Sequence, residues 1–487
     1  MLQQGASDIG GVGRRELLGV AALASAVVSV ARGREQPVHV RMDADPSGLL
    51  EKLVDRVTFG ATEDELQLAR TLGYDGYLDY HLNHLAIDDS ACDAATAHLT
   101  TLGQTYVDLV AQTAGFVRNE LIEHVILRAV FSRRQLFERM VELWTDHFNI
   151  DVEVAQQYKT IDDRTVVRAH ALASFPQLLS ASAHSPAMLL YLNNDVSVAG
   201  NPNENYAREL MELHTLDVGG GYTQADVQEV ARCLTGWQIM TSGSLRGTFR
   251  YNNTQHDQGV KQVLGTTVPA GGGQADGDTV LGLLSNHPST ARFIAGKLCR
   301  HFLGYSVSAA VIDRVAGVYA ATGGDIRAMV RETLRPQHLA SATPKLKRPF
   351  HHFVSAMRAL GVSVTATTAM RNKLIEAGHV PFGWQTPDGY PDKLDHWSRN
   401  VLVRWNWGAQ VPTNSVSGVA FDDVAFFGGA TTAEERAAVI DRRLFQGRMP
   451  AVERERVRAY MLPDPVNLTR WREGVGLAVG SPAFQWY

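Results

Sequence analysis

The sequence predicts a mainly α fold, an irregular multi-helix bundle with a small β-hairpin, built as one body or as two lobes. Three observations lead there. Apolar residues recur at three- and four-residue spacing, as in Leu121, Ile122, Val125, Ile126, Ala129 and Val130, which is the periodicity of an amphipathic helix. Residues that cap helices stand just ahead of such runs, and glycines stand just after them. Only Thr248-Phe249-Arg250-Tyr251 and Gln262-Val263-Leu264 look strand-like, enough for one hairpin beside the helices.

At the N-terminus, Arg14-Arg15-Glu16-Leu17-Leu18 opens an apolar run from Leu17 to Ala31 that carries no charge after Glu16. The run is shorter than the roughly 20 residues that span a bilayer. Small residues at Ser29-Val30-Ala31 suit a cleavage site. Residues 1–31 therefore read as a twin-arginine signal peptide rather than an anchor. The mature chain, 32–487, would be periplasmic or extracellular. A buried N-terminal helix is the competing reading.

Further along, Thr62-Glu63-Asp64-Glu65 has the spacing of a capping box, in which Thr62 takes the Glu65 amide and Glu65 reaches back. The stretch from Asn119 to His147 predicts one amphipathic helix or a pair. Ser174-Phe175-Pro176 opens another helix that runs to about Leu192. A helix from Asn203 is expected to end at Gly219-Gly220-Gly221, because glycine readily takes the left-handed conformation at a C-terminus. Thr223 caps the next helix, from Gln224 to Leu234. The Gly- and Ala-rich stretch from Pro269 to Gly277 is the best linker, which puts a lobe boundary, if there is one, in the loop 266–278.

Composition narrows the function. Hydrophobic residues make up 45% and charged residues 20%, a balance that builds a sizeable core and argues against disorder. A formal net charge of -5 gives no basic footprint for nucleic acid. No second apolar run is long enough to cross a membrane after processing. Cys92, Cys233 and Cys299 allow one disulfide at most, and buried thiols are the simpler reading for Cys233 and Cys299. No nucleophile elbow, phosphate loop or dinucleotide fingerprint is present, so no nucleotide cofactor is expected.

The richest chemistry lies between Asn203 and Leu216. Successive residues of an α-helix turn by about 100°, so Asn205, Arg208, Glu209 and Glu212 fall in one stripe, with Glu204 at its edge. Tyr206, Ala207, Leu210, Met211 and Leu213 occupy the other side, as a packed helix requires. His214 falls opposite Asn205. Glu212 and His214 could share a metal only if the helix ended near Leu213. The bland reading is a solvated face, with Arg208 four residues from both Glu204 and Glu212 in surface ion pairs. The sharper one is an acidic stripe suited to a cation or to proton transfer.

Histidines supply the other candidates. His147 follows Trp144 at the end of its helix, where an imidazole can ligate, catalyse or simply complement the helix dipole. His256-Asp257, followed by Lys261, could bind a metal or exchange protons, and Asp257 could equally stabilise a turn. His287, before Pro288, reads as a helix cap. The aromatic turn from Gly383 to Pro391, with Trp397, Trp405 and Trp407 after it, suits a flat ligand, but packing onto the helical body is the favoured role.

The run from Asn203 to Leu216, then Gly221-Tyr222-Thr223-Gln224, Asp226-Val227 and Leu234-Thr235-Gly236-Trp237, resembles the bacterial DUF1800 family. So do Arg56-Val57-Thr58-Phe59-Gly60-Ala61-Thr62, Trp144-Thr145-Asp146-His147-Phe148, His256-Asp257-Gln258-Gly259-Val260-Lys261 and His287-Pro288-Ser289-Thr290-Ala291-Arg292-Phe293. Lys345-Leu346-Lys347-Arg348-Pro349 and Ser481-Pro482-Ala483-Phe484-Gln485 complete the series. The resemblance implies an exported bacterial protein and says little about activity, since the family is named for an unknown function. There are departures. Thr145-Asp146 stand where the family pattern has His-Asn, Asp217 stands for a Gly, and His351-His352 stand where Glu is commoner. Pro387-Asp388-Gly389-Tyr390-Pro391 is a variant of a Pro-x-x-Gly-Trp turn.

Together these features predict an exported metal-dependent enzyme, either an oxidoreductase or a hydrolase. Asn205, Arg208, Glu209 and Glu212 are the expected catalytic residues. His147, Glu209, Glu212, His256 and Asp257 are the expected ligands of a transition metal (Fe, Mn, Cu or Zn), and the substrate is a small molecule or polysaccharide. Two alternatives stand beside it. One is a metal-free enzyme cleaving glycosides with two carboxylates. The other is a non-catalytic envelope protein that binds a polysaccharide or a protein partner.

Overall fold

The computed structural model describes residues 48–463 and 467–487, so the twin-arginine segment and the signal-peptide reading lie outside the described residues. Helix follows helix, interrupted by three two-stranded sheets. Among the described residues no helix is long and apolar enough to cross a membrane.

Local chemistry explains most of the boundaries. The stretch from Asn119 to His147 is a pair of helices, Ala114–Phe131 and Gln135–His147, broken at Ser132-Arg133-Arg134. Ser174 and Gln177 form a reciprocal capping box, and Pro186 restarts the chain as Pro186–Tyr191 after a break at His184-Ser185. Thr223 and Asp226 cap Gln224–Cys233 in the same reciprocal way. His287 caps Pro288–Leu303, its Nδ1 accepting the Ser289 amide at 3.2 Å.

The box at Thr62 is only half formed. Thr62 accepts the Glu65 amide, but the Glu65 carboxylate turns inward and accepts from Tyr77 Oη at 2.7 Å and pairs with His81 Nε2 at 2.9 Å. Buried donors hold it more strongly than one exposed amide would.

The expected single hairpin is two. Phe249–Tyr251 pairs with Trp237–Ile239, and Lys261–Val263 pairs with Thr266–Val268. Ser363–Val364 and Val419–Ala420 form the third sheet.

The helix from Asn203 stops short of the glycines. It is α-helical over Glu204–Met211 and widens to a π-helical turn over Glu212–Leu216. Thr215 supports the wider turn by donating its hydroxyl to the Leu210 carbonyl at 2.6 Å, five residues back. Asp217 then takes φ 69, ψ 164, a conformation that costs a non-glycine residue about 1–3 kcal/mol. The chain therefore turns at the position where the family pattern has glycine.

Among the described residues two large apolar cores organise the molecule, with a small third cluster of Leu346, Tyr390 and Trp397. One gathers residues between Leu53 and Leu339. The other joins Phe59 and one face of Ala114–Phe131 to residues from Phe350 to Phe484. Val263 and Val280, on either side of the 266–278 loop, belong to the same first core. The chain passes from one core to the other between Leu339 and Phe350. All three cysteines are buried free thiols.

Candidate functional site

The polar stripe of Glu204–Met211 is graded. At its outer end Arg208 donates to Glu204 at 3.3 Å and to Gln224 Oε1 at 2.9 Å, with both charged side chains more than a third exposed. That is the solvated-face arrangement. Asn205 is also exposed, and its amide donates to the Leu192 carbonyl at 3.3 Å. Towards its inner end Glu209 and Glu212 are half-buried. Burial raises the Glu209 carboxyl, and the charges of Glu212 and Asp388 raise it further against Arg208. Glu212 accepts from Tyr222 Oη at 3.4 Å.

The other expected ligands are held elsewhere. His256 is buried, with Nδ1–H donating to the Thr235 carbonyl at 2.7 Å and Nε2 3.0 Å from Asp276. Lys261 reaches the same Asp276 oxygen at 2.5 Å. This pair ties the His256 loop to helix Ala275–Ser285. Asp257 accepts two hydrogen bonds from Arg232, at 2.8 and 3.1 Å, and one from the Gly259 amide. Arg232 holds its carboxyl down at about 2, which makes Asp257 a turn-stabilising anion. Among the described residues no group of three or more His, Cys, Asp or Glu side chains could share a metal ion.

His147 lies in a different setting, on the wall of a charged cavity. Its Nε2–H donates to the His214 carbonyl at 3.1 Å, which leaves Nδ1 as a buried acceptor without a partner. Burial first, then the Lys297 charge, holds the ring well below the usual histidine range, so it is neutral. His214 packs against Phe148 and Tyr206, on the apolar side as the helical wheel required.

A cavity of about 220 Å³ opens beside His147 at the seam between the two cores. Helix Gln135–His147 supplies Arg139, Leu143, Asp146 and His147, and Pro288–Leu303 supplies Lys297, Arg300 and His301. The passage between cores supplies Lys345 and Arg348, with His351 following on helix Pro349–Leu360. The turn Asp388–Lys393 and Tyr487 close it. Gly389 is required in that turn. It has φ +72, and a Cβ there would lie 1.9 Å from the Asp146 carbonyl oxygen.

The wall carries six Arg or Lys against three Asp, a formal excess of +3. Some of these charges are paired. Arg348 grips Asp146 at 2.6 Å and Glu142 at 2.5 Å, Arg139 shares Glu142 at 2.5 Å, and Lys345 holds Asp392 at 2.6 Å. Lys297, Arg300 and Lys393 have no carboxylate partner within ion-pair distance among the described residues. Burial lowers Lys297 to about 8. Burial also raises Asp146 to about 6, with the Glu142 charge adding and Arg348 opposing. His301 and His351 are neutral by burial, and His301 Nε2 has no partner.

A family model described as "Protein of unknown function (DUF1800)" matches residues 52–486. The chain belongs to the DUF1800 family. No curated protein and no solved structure matches it. Two of the segments that resemble the DUF1800 pattern, Trp144–Phe148 and Lys345–Pro349, supply Asp146, His147, Lys345 and Arg348 to the cavity. Asp146 is itself a departure, standing where the DUF1800 pattern has Asn. Of the expected site residues only His147 lines the cavity. Glu209 lies near enough to Asp388 to feel its charge.

The aromatic turn packs, as favoured. Trp384 Nε1 donates to Asp388 at 2.9 Å, and Tyr390, Trp397 and Trp407 are buried. Sequence reasoning passed over Arg139, Lys297, Arg300, Lys345 and Arg348 as ligand-facing groups. The only local signal was the Asp388-Gly389-Tyr390 turn, which shapes one wall.

Proposed function

We propose that this chain is an exported enzyme acting on a small anionic molecule, with the seam cavity as its active site. Lys297, Arg300 and Lys393 would hold the anion, and Asp146 and Lys297 would exchange protons with it. The observation that carries the reading is the set of three cations left without a carboxylate on a wall of formal charge +3. Supporting it, Asp146 near 6 and Lys297 near 8 straddle neutral pH, the range in which acid–base groups work best. A divalent cation would face unfavourable charge on the same wall, so the anion reading is preferred to a metal site at His147.

Sulfate, which keeps one charge state from pH 5 to 8, tests this by calorimetric titration. One site is expected, weakened about tenfold or more in Lys297→Met, a loss of roughly 1.4 kcal/mol. Affinity should rise as pH falls through about 6, because protonation removes the Asp146 charge that repels the anion. Asp146→Asn should abolish that step and bind as tightly at pH 7 as the parent chain does at pH 5. Sulfate binding that is absent, or unchanged in Lys297→Met, would rule the site out. Stoichiometric iron, manganese, copper or zinc in the purified protein, lost in His147→Ala, would favour the metal-dependent reading instead.

Export rests on Arg14-Arg15 and the apolar run to Ala31. Changing both arginines to Lys should hold the precursor in the cytoplasm, because twin-arginine export reads the guanidinium pair. Fractionation that still finds mature chain outside the cytoplasm would count against it.

A further inference from the structure

A second, larger groove of about 380 Å³ lies on the other side of Tyr487 from the charged cavity. Its wall is chiefly apolar, with Tyr305, Leu394, Leu444, Phe445, Phe484 and Trp486. Set into that wall is Lys347, 7% exposed, its Nζ 3.7 Å from the centre of the Phe484 ring. The other buried lysines are met by oxygen atoms. Lys159 holds Asp162 at 2.6 Å, Lys261 holds Asp276 at 2.5 Å, and Lys345 holds Asp392 and the Arg300 carbonyl. Among the described residues no hydrogen bond or ion pair takes up Lys347 Nζ, so it rests on a ring face with the groove before it. Asp55, the carboxylate whose charge acts on Lys347, is already engaged by Gln446 and Arg448 at 2.6 Å each.

We propose that Lys347 is a covalent attachment site for an apolar aldehyde or ketone bound in this groove. The lone pair of the neutral amine attacks the carbonyl carbon, and one nitrogen proton passes to the oxygen to give a carbinolamine. Loss of that hydroxyl with the second nitrogen proton releases water and leaves an imine between Lys347 and the ligand carbon. No electrons are gained or lost overall. The apolar wall selects a hydrocarbon substituent, and Asp55, Gln446 and Arg448 give the groove a polar edge. Burial supplies the neutral amine, bringing Lys347 down to about 7 against the opposing pull of Asp55, with Arg448 lowering it further. His351 and His352, the other titratable neighbours that feel the Lys347 charge, are neutral by burial, so they add no competing charge. Desolvated lysines of this kind are the ones that form Schiff bases.

The test uses the whole mature chain, octanal as the probe and cyanoborohydride to trap any imine at pH 7, read by intact mass and peptide mapping. One reductive adduct is expected at Lys347, forming at least about tenfold faster than at the exposed Lys393, because burial makes the Lys347 nitrogen far more often neutral at pH 7 than it would be in water. The adduct should vanish in Lys347→Met, a change that removes a buried charge and leaves the fold intact by circular dichroism. Chain unfolded in urea should lose the preference. Labelling of Lys347 no faster than Lys393, or a single fast adduct that persists in Lys347→Met, would overturn the assignment.

Discussion

Replacing Arg348 by Met is expected to destabilise the protein by about 3–5 kcal/mol at pH 8, because it strands the largely buried Asp146 carboxylate and takes one of two cations from Glu142. Arg348 holds Asp146 at 2.6 Å through one nitrogen and Glu142 at 2.5 Å through the other. Glu142 keeps Arg139 in the variant, but among the described residues Asp146 keeps no cation within ion-pair distance. Its carboxyl, already raised to about 6 by burial against the pull of Arg348, would rise further without that cation. The sign of the pH dependence follows. A carboxyl raised in the folded state binds its proton there more readily than in the unfolded chain, so stability is lost as pH rises through the folded value. The deficit of Arg348→Met should therefore be large at pH 8 and much smaller at pH 5, where Asp146 is neutral. Arg348→Lys restores the charge but not the two-pronged geometry, and should fall between. Denaturant midpoints at the two pH values decide it. An equal deficit at both would mean that packing, not charge, is what Arg348 supplies.

The same residues show what a sequence can and cannot display. Helix starts were readable because a cap is a local device. Thr223 and Asp226, or Ser174 and Gln177, lie three residues apart and meet whatever the rest of the chain does. Glu65 shows the limit. Its spacing from Thr62 fits a reciprocal box, yet Tyr77 and His81, brought in by the tertiary fold, take its carboxylate. The π-helical turn at Glu212–Leu216 also escaped, since its cause is a hydroxyl reaching back five residues rather than any apolar period.

The stripe of Asn205, Arg208, Glu209 and Glu212 was visible for the same reason that caps are, being a property of one helix. Its functional weight depended on burial, which the sequence does not state. Two of its members turned out to sit in a surface ion pair or in solvent. The cavity had the opposite problem. Arg139, Lys297 and the Lys345–Arg348 segment are separated from one another by dozens of residues and share no common spacing. Arg139 and Glu142 have the three-residue interval of a solvated pair, although Arg139 is 2% exposed and stacks on Phe59 and Tyr487. Glu138, fully enclosed between Arg128 at 2.6 Å and Arg168 at 3.0 Å, is disguised in the same way. Charges such as these look like surface in one dimension and become interior only when two cores close on them.

One residue before Arg348, the opposite effect is expected. Lys347→Met should stabilise the protein by roughly 2–4 kcal/mol at pH 6, reflecting release of a buried charge minus the loss of its attraction to the Phe484 ring. The two neighbours point in different directions, so one buried cation has two carboxylates and the other has none. Methionine, one atom shorter, keeps most of the apolar stem and makes its own favourable contact with an aromatic ring, so little packing is lost. Burial lowers Lys347 to about 7, below its value in the unfolded chain, and the sign follows from that. Below pH 7 the amine is charged in both states, and its burial counts fully against folding. As pH rises from 7 towards the ordinary lysine range the folded chain sheds the proton first, the penalty fades, and the wild-type protein gains stability relative to the variant. The advantage of Lys347→Met should thus be flat below pH 7 and shrink steadily to pH 10. Lys345→Met, two residues away, removes a cation bound to Asp392 and to main-chain carbonyls, and it should destabilise at every pH in that range. A Lys347→Met chain that is less stable than the parent, or whose advantage ignores pH, would show that a counter-charge reaches the amine and that the groove does not hold it bare.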